Sequence, residues 1–245
     1  MWAAAEGSIF RPMQWHTAES SAIMAFDFKK EYKEFYLPPK TPVIITIPSM
    51  NYIAVRGEGD PNTEGGAYKK AIEKLYAVAY TIKMSKKSGR QMDGYFDFVV
   101  PPLEGFWRQD NTPEIDYAHK ERFKWISVIR LPDFVKKDDL QRAVSEAQSK
   151  KGTDLSDVEF FSCDEGVCVQ CMHIGSYDNE PATVQLMHEY MEKQGYVLDI
   201  TESRLHHEIY LSDARRVAPD KLKTVIRHPV RKAGGQSPQL PRWLS

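Results

Sequence analysis

The sharpest candidate for chemistry is Glu208, in the run His206-His207-Glu208-Ile209-Tyr210-Leu211. Strand alternation sends His206, Glu208 and Tyr210 to one face and His207, Ile209 and Leu211 to the other. A carboxylate between an imidazole and a phenol on a rigid strand can work as an acid or base, or anchor a cation. The apolar pair Ile209 and Leu211 is expected to face helices. Glu208 and Tyr210 would then look into the opposite surface, at a seam between two halves. A solvated sheet face would alternate in the same way.

Glu104 is the candidate partner, in Glu104-Gly105-Phe106-Trp107 just after Pro101-Pro102. It roughly answers to Glu208 in an earlier copy of the same unit. A regular strand places Trp107 on the face opposite Glu104, although a bend at Pro102 or Gly105 would re-aim one of them. Packing in a turn is the competing reading for this segment. Trp125, Tyr95 and Phe98 lie on expected strands and Tyr177 on a turn. Such rings are most often core, and Tyr177 is the least expected there.

Other chemistries find no support. Gly57-x-Gly59 lacks a third glycine and precedes no parallel crossover, so no dinucleotide loop is expected. Neither a phosphate-binding G-x-x-x-x-G-K-[ST] loop nor a G-x-S-x-G elbow occurs. The adjacent His206 and His207 diverge on a strand, and His-His-Glu is not H-E-x-x-H, so no metal is expected. The three cysteines, Cys163, Cys168 and Cys171, suit a reducing interior. Cys168-x-x-Cys171 on a strand points to two faces, which favours buried structural thiols. No cofactor is expected.

These side chains need a frame, and the chain supplies it twice. PVIITIPSMNYIAVRGEGDPN runs into the helical TEGGAYKKAIEKLYAVAYTIK, and VEFFSCDEGVCVQCMHIGSYDNE runs into PATVQLMHEYMEKQ. Gly57, Gly59 and Asp60 answer to Gly175, Tyr177 and Asp178. Val43–Ile47 and Tyr52–Arg56 read as strands in a hairpin or one bent strand. Tyr68, Ala71, Ile72, Leu75, Ala79 and Ile82 fall at helical spacing. Tyr95–Val100 and Phe123–Leu131 read as strands, and Lys137–Lys150 as a polar helix. Pro181 suits the first turn of the second unit's helix. Leu205–Leu211 and Lys223–His228 close that unit.

The expected architecture is therefore α+β. Two strand-helix-strand-strand units form a curved, mostly antiparallel sheet, with helices on one face and a ligand groove between the halves. One domain is expected over 24–230, with halves at about 40–112 and 120–230. Residues 1–23 read as a flexible extension ahead of a natural-looking start at Met24, and 231–245 as a disordered tail. No apolar run spans a membrane, and no signal peptide is evident. Net charge is −1, which gives no general attraction to nucleic acid or membrane. The basic run Arg215, Arg216, Lys221, Lys223, Arg227, Arg231, Lys232 reads as a solvated face.

Taken together, YIAVRGEGDPN, FDFVVPPLEGFW, FKWISVIRLPDFV, HIGSYDNEPATVQLMHEYM and LHHEIYLSDARRVAPDKLKTVIRHPV resemble the GyrI-like small-molecule-binding domains, above all their stand-alone members. The same domains serve as effector-binding modules of multidrug-sensing regulators. The resemblance implies a pseudo-symmetric fold with a groove at its junction. It implies that an acid at the Glu208 position faces flat aromatic, often cationic ligands. Some stand-alone relatives resemble hydrolases that open the cyclopropane ring of alkylating genotoxins. In those, paired acids and aromatic clamps do the work. Glu104 and Glu208 match the acids, with Trp107 and Tyr210 beside them. Tyr177, Tyr95, Phe98, Trp125 and His206 are the further ligand-binding candidates. Two alternatives stand: a non-catalytic module that sequesters or senses a drug, and a protein-binding factor like the gyrase-inhibiting relatives. The expected setting is cytoplasmic, with a small-molecule partner and no direct nucleic-acid binding.

Overall fold

The computed structural model describes residues 24–234 except 88, 90, 111, 113 and 114. The expected extension at 1–23 and the tail from 235 lie outside the described residues. Two short helical turns come first, α1 (Phe28–Glu31) and α2 (Lys33–Tyr36). The first unit follows as β1 (Val43–Ile47), β2 (Met50–Glu58), α3 (Ala67–Lys83), β3 (Leu103–Arg108) and β4 (Lys124–Arg130). Helix α4 (Lys137–Lys151) leads to the second unit: β5 (Glu159–Cys163), β6 (Gly166–Ile174), α5 (Glu180–Lys193), β7 (Tyr196–Leu198), β8 (His206–Tyr210) and β9 (Lys223–Lys232). The last strand thus runs past His228 and into the segment expected as tail, pairing Lys232 with Tyr196 of β7.

One open sheet takes the order β1-β6-β9-β8-β3-β4-β2-β5, with β7 added to β9 and every pair antiparallel. The two units meet where β3 pairs with β8. Their first strands are exchanged. β1 leaves its own unit and pairs with β6, while β5 pairs with β2. Of the two readings of 43–56, the hairpin is therefore corrected. Only Pro48 and Ser49 separate β1 from β2, and a two-residue hairpin needs residues that tolerate positive φ. The chain bends there and crosses to the other half.

The helix-bearing face follows from the register. Val55, Ser127, Gly105, Glu208, Ile226 and Cys171 stand opposite one another in turn across neighbouring strands. Directly opposed residues share a face. At one end of this row Val55 packs with Leu75, Val78 and Ile82 of α3. At the other, Cys171 and Ile226 pack with Met187 and Met191 of α5. Glu208 therefore lies on the face that carries α3 and α5, in the gap between them. The expectation that Ile209 would face the amphipathic helices is corrected: its face carries only the short turns α1 and α2. Alternation identifies the covered face only when the other is wet, and here His207, Glu208 and Ile209 are all buried.

The expected strand at Tyr95–Val100 is also corrected. Its only ladder contact among the described residues is a bridge between Phe26 and Phe98. The segment is a loop whose rings pack on one another and on Phe134. Aromatic residues are strand-prone because they pack well on a half-buried surface, and this cluster provides that packing without a ladder. All three cysteines are free and buried, with burial raising each thiol, Cys163 to about 12 and Cys171 to about 11.

Candidate active site at the seam

The seam pairs Gly105 with Glu208 and Trp107 with His206. Gly105 leaves room for chemistry above it. A Cβ there would come within 2.6 Å of Trp107 Nε1 and 3.1 Å of Tyr210 Oη. The space is used by a short chain of donors. Trp107 Nε1 donates to Tyr210 Oη at 2.9 Å, and Tyr210 Oη donates to Glu208 Oε2 at 2.8 Å. The other carboxylate oxygen, Oε1, lies 2.8 Å from His206 Nε2.

The second acid is Glu180, the first residue of α5. It is fully buried, and its Oε2 accepts a hydrogen bond from Tyr117 Oη at 3.2 Å. Among the described residues no N–H or O–H reaches Oε1. Glu180, His206 and Glu208 each bring one polar atom to within 4.8 Å of the others. Two carboxyls so placed cannot both ionise. Burial, and next the charge of Glu208, hold the Glu180 carboxyl well above the usual range. Burial pushes Glu208 the same way, but it is outweighed by bonds and charge from His206 and by bonds from Tyr210 and Glu180, so its acidity is strengthened. A helix N-terminus normally favours a carboxylate. Here burial beside a second anion overrides it. A carboxyl pushed toward its neutral form and one pushed toward its ionised form therefore sit side by side, the division of labour that acid–base hydrolysis requires.

Rings enclose the pair. Tyr177 meets Tyr210 edge-on at 5.8 Å, Tyr68 packs 5.2 Å from Trp107, and Phe123 meets Trp107 edge-on at 5.6 Å. Trp125 forms a second layer, edge-on to Tyr68 at 5.1 Å. It fits because residue 57 is glycine; a Cβ there would lie 2.2 Å from its ring. The connector from β3 to β4 contributes to the group through its described residues. It supplies Tyr117 to Glu180, and its Lys120 Nζ reaches Asp178 Oδ1 across the rim at 2.6 Å.

Of the residues singled out from sequence, Glu208, Trp107, Tyr210, Tyr177 and His206 converge here, with Trp125 behind them. Tyr95 and Phe98 do not, and their expected place in the groove is corrected. They belong to the loop cluster on Phe134, where Tyr95 Oη donates to the Lys83 carbonyl at 2.7 Å.

Glu104 is also placed elsewhere. Its register partner is Ile209, one residue out of step with Glu208, and a one-residue offset reverses the face. Its carboxylate lies on the opposite side of the sheet, beneath α2. There it accepts from Tyr36 Oη at 3.2 Å and meets His207 Nε2 at 3.0 Å. His207 Nδ1 meets Glu165 at 2.9 Å, and Arg227 Nη1 donates to Glu165 at 2.8 Å. This is a buried network of balanced charge. Burial would lower the His207 pKa, but the two carboxylates raise it. Burial would raise Glu165, but His207 and Arg227 bring it to about 2.

Sequence reasoning missed Glu180 and Tyr117, and took Tyr68 only as a sheet-facing helix residue. The available signal was the repeat itself. Tyr68 and Glu180 both stand at the start of a unit's helix, and both helices start at the seam. Glu180, His206 and Glu208 also bring one donor atom each within 4.8 Å of one another, close enough to hold a metal ion. An imidazole and two carboxylates would suit a divalent first-row ion.

The family profile of GyrI-like small molecule binding domains matches residues 40–231. The chain belongs to that family. The GyrI-like domain is similar to a hydrolase from Listeria innocua, with 46% identity and a TM-score of 0.77, covering 84% of this chain and 100% of that one. It is similar to an uncharacterized conserved protein of Listeria innocua at 47% identity and a TM-score of 0.79, with coverage of 84% and 100%. A second hydrolase structure from Listeria innocua gives 46% and 0.78, covering 85% and 100%. No curated protein matches the chain. Among the described residues of the GyrI-like domain, no helix is long and apolar enough to cross a membrane.

Proposed function

We propose that this GyrI-like domain takes a flat aromatic electrophile into the seam groove and hydrolyses it, the reacting group being a strained ring such as the cyclopropane of an alkylating genotoxin. The observation that carries the reading is the pair of buried acids at the seam, Glu208 and Glu180, each with an oxygen within 4.8 Å of the other's. Glu208 removes a proton from a water placed between the acids, and the water oxygen bonds to a ring carbon. The ring carbon–carbon bond breaks, and its electron pair moves onto the conjugated carbonyl oxygen. That oxygen takes the Glu180 proton. When product leaves, Glu208 returns its proton to the neighbouring Glu180. The net change is addition of H and OH. Trp107, Tyr210 and Tyr177 would hold the flat substrate and keep bulk water out. Similarity to proteins described as hydrolases supports the class of reaction. The three reduced thiols suit a cytoplasmic role in xenobiotic resistance.

A second reading is binding without turnover, with Glu208 as counter-charge to a cationic ligand inside an aromatic box. Incubation with a cyclopropane-bearing alkylator, followed by product mass, separates the two. A product heavier by one water, lost in Glu208→Gln and Glu180→Gln, supports hydrolysis. Tight binding with no mass change would sink it and leave the sequestering role.

A further inference from the structure

Each of the three side chains that meet at the seam has one end tied down. His206 Nδ1 lies 2.7 Å from His228 Nε2. Glu208 Oε2 accepts from Tyr210 Oη at 2.8 Å, and Glu180 Oε2 accepts from Tyr117 Oη at 3.2 Å. The remaining atoms are His206 Nε2, Glu208 Oε1 and Glu180 Oε1. His206 Nε2 and Glu208 Oε1 are 2.8 Å apart, and Glu180 completes a group whose donor atoms all lie within 4.8 Å of one another. All three residues are buried. Glu180 Oε1 has no hydrogen-bond partner among the described residues, and a buried carboxylate oxygen is costly until a donor or a cation meets it. Ligating histidines commonly donate their other ring N–H to a neighbour, and ligating carboxylates are hydrogen-bonded in turn. His228, Tyr210 and Tyr117 stand in those supporting positions.

We propose that His206 Nε2, Glu208 Oε1 and Glu180 Oε1 bind one divalent first-row transition ion, such as Zn²⁺, Co²⁺ or Mn²⁺, with waters completing its shell. An imidazole with two carboxylates suits these ions and disfavours Mg²⁺ and Ca²⁺, which take oxygen ligands. Three protein ligands leave positions open for water. The two charges of the ion offset both carboxylates, which a buried site otherwise cannot keep ionised together. Glu208 keeps 9% of its side chain exposed, so the site is not sealed from solvent. Among the described residues no cysteine joins the group. His206 and His207 do diverge, as their adjacency on a strand requires, and His207 meets Glu104 on the other face. The set is completed instead by Glu208, two residues on along β8, and by the first residue of α5.

The site does not depend on the hydrolase reading. Where both hold, the ion occupies the carboxylates that the attacking water uses, and turnover falls as the ion is added. The test therefore reads binding of Co²⁺ and Zn²⁺ alone by the full chain, stripped of metal with a chelator and free of substrate. One equivalent of Co²⁺ is expected to bind, with visible bands of nitrogen and oxygen ligation. Zn²⁺ should displace it and Mg²⁺ should not. Glu180→Gln and His206→Ala should each remove the site. Tyr117→Phe, which frees Glu180 Oε2 but removes no ligand, should weaken binding by about 10–100-fold. Thermal melts check that each variant folds. The 15N spectrum of histidine-labelled wild type reads the ligand without any substitution, because Zn²⁺ should shift the Nε2 signal of His206. No stoichiometric Co²⁺ uptake by the wild type, an intense near-ultraviolet band from cysteine thiolates, or unchanged uptake in a folded Glu180→Gln would overturn the site. One-to-one binding by a protein that opens no strained ring would sustain the site and remove the hydrolase. Ring opening by a protein that takes up no Co²⁺ would do the reverse.

Discussion

Glu104 and Glu208 sit on adjacent strands yet act on opposite sides of the sheet, because Glu104 pairs with Ile209 while Gly105 pairs with Glu208. The offset divides four of the buried acids into two sets. Glu104 fastens the sheet to the N-terminal turns through Tyr36, and Glu165 holds His207 and Arg227. Glu208 and Glu180 meet at the seam on the other face.

Substitutions should separate the sets. Glu208→Gln and Glu180→Gln are expected to lower kcat/KM for a ring-opening substrate by about 10²–10⁴-fold, the usual value of a positioned acid or base. Glu104→Gln should keep the chemistry but destabilise the fold by about 3 kcal/mol, because it leaves His207 with one fewer buried counter-charge. Steady-state kinetics alongside urea unfolding would read both. A catalytic defect in Glu104→Gln at wild-type stability would contradict the assignment.

The rate should be bell-shaped in pH. Activity needs Glu208 ionised and Glu180 protonated. It should rise through the lowered pKa of Glu208 and fall through the raised pKa of Glu180. Tyr210→Phe removes the donor to Glu208 Oε2 and should move the acid limb to higher pH. A kcat/KM profile that rises and falls at the same pH in both proteins would argue against this bond as the tuning contact.

Folding stability has its own pH window, set on the other face. Glu165 falls from 4.5 to about 2 on folding, so its contribution is complete above about 4.5 and disappears as pH drops toward about 2. His207 is raised from 6.5, so its contribution is complete below about 6.5 and is lost as pH climbs through its folded value. Thermal melts across pH should therefore lose stability at both ends. Glu165→Gln should flatten the acid end, and an unchanged acid limb in that variant would count against the network.

The rim pair should control entry more than stability. Lys120 and Asp178 are exposed enough that their bridge contributes about 0–1 kcal/mol. Lys120→Ala should leave the melting temperature nearly unchanged and speed ligand association several-fold, read by stopped-flow quenching of Trp107. Equal association rates in the two proteins would place the entrance elsewhere.

Gly105→Ala offers a sharper probe of the groove. Its Cβ would sit 2.6 Å from Trp107 Nε1, so the indole must move and the Tyr210 bond must break. Overpacking of this kind costs about 1–3 kcal/mol. Ligand affinity should fall with it, while Gly152→Ala, far from the groove, should not affect binding.

Much of this was legible in the chain. The two units, their helices and most strands announce themselves through periodicity and Gly-Asp turns. Glu208, His206, Trp107 and Tyr210 were found because a polar triad and a tryptophan on closing strands are out of place in a plain core. Glu104 misled because internal similarity aligns positions in sequence, whereas the ladder decides faces, and one residue of offset reverses them. Glu180 stayed hidden because it reads as an ordinary acidic residue at a helix start beside Pro181. Only the tertiary approach of α5 to β8 makes it a buried neutral acid. Tyr95 and Phe98 look like strand residues until Phe134 gives them another place to pack.

The exchange of β1 and β5 has a consequence for how the protein is made. The first unit's outer strand β2 has no partner on that side until Glu159–Cys163 exists, so during synthesis roughly a hundred residues follow β2 before its edge is covered. Neither half can finish alone, and the molecule should be born as one cooperative step late in translation. A ribosome stalled before residue 159 would hold a chain with an open, adhesive edge, one that a second stalled copy or a chaperone would find before its own missing strand arrived.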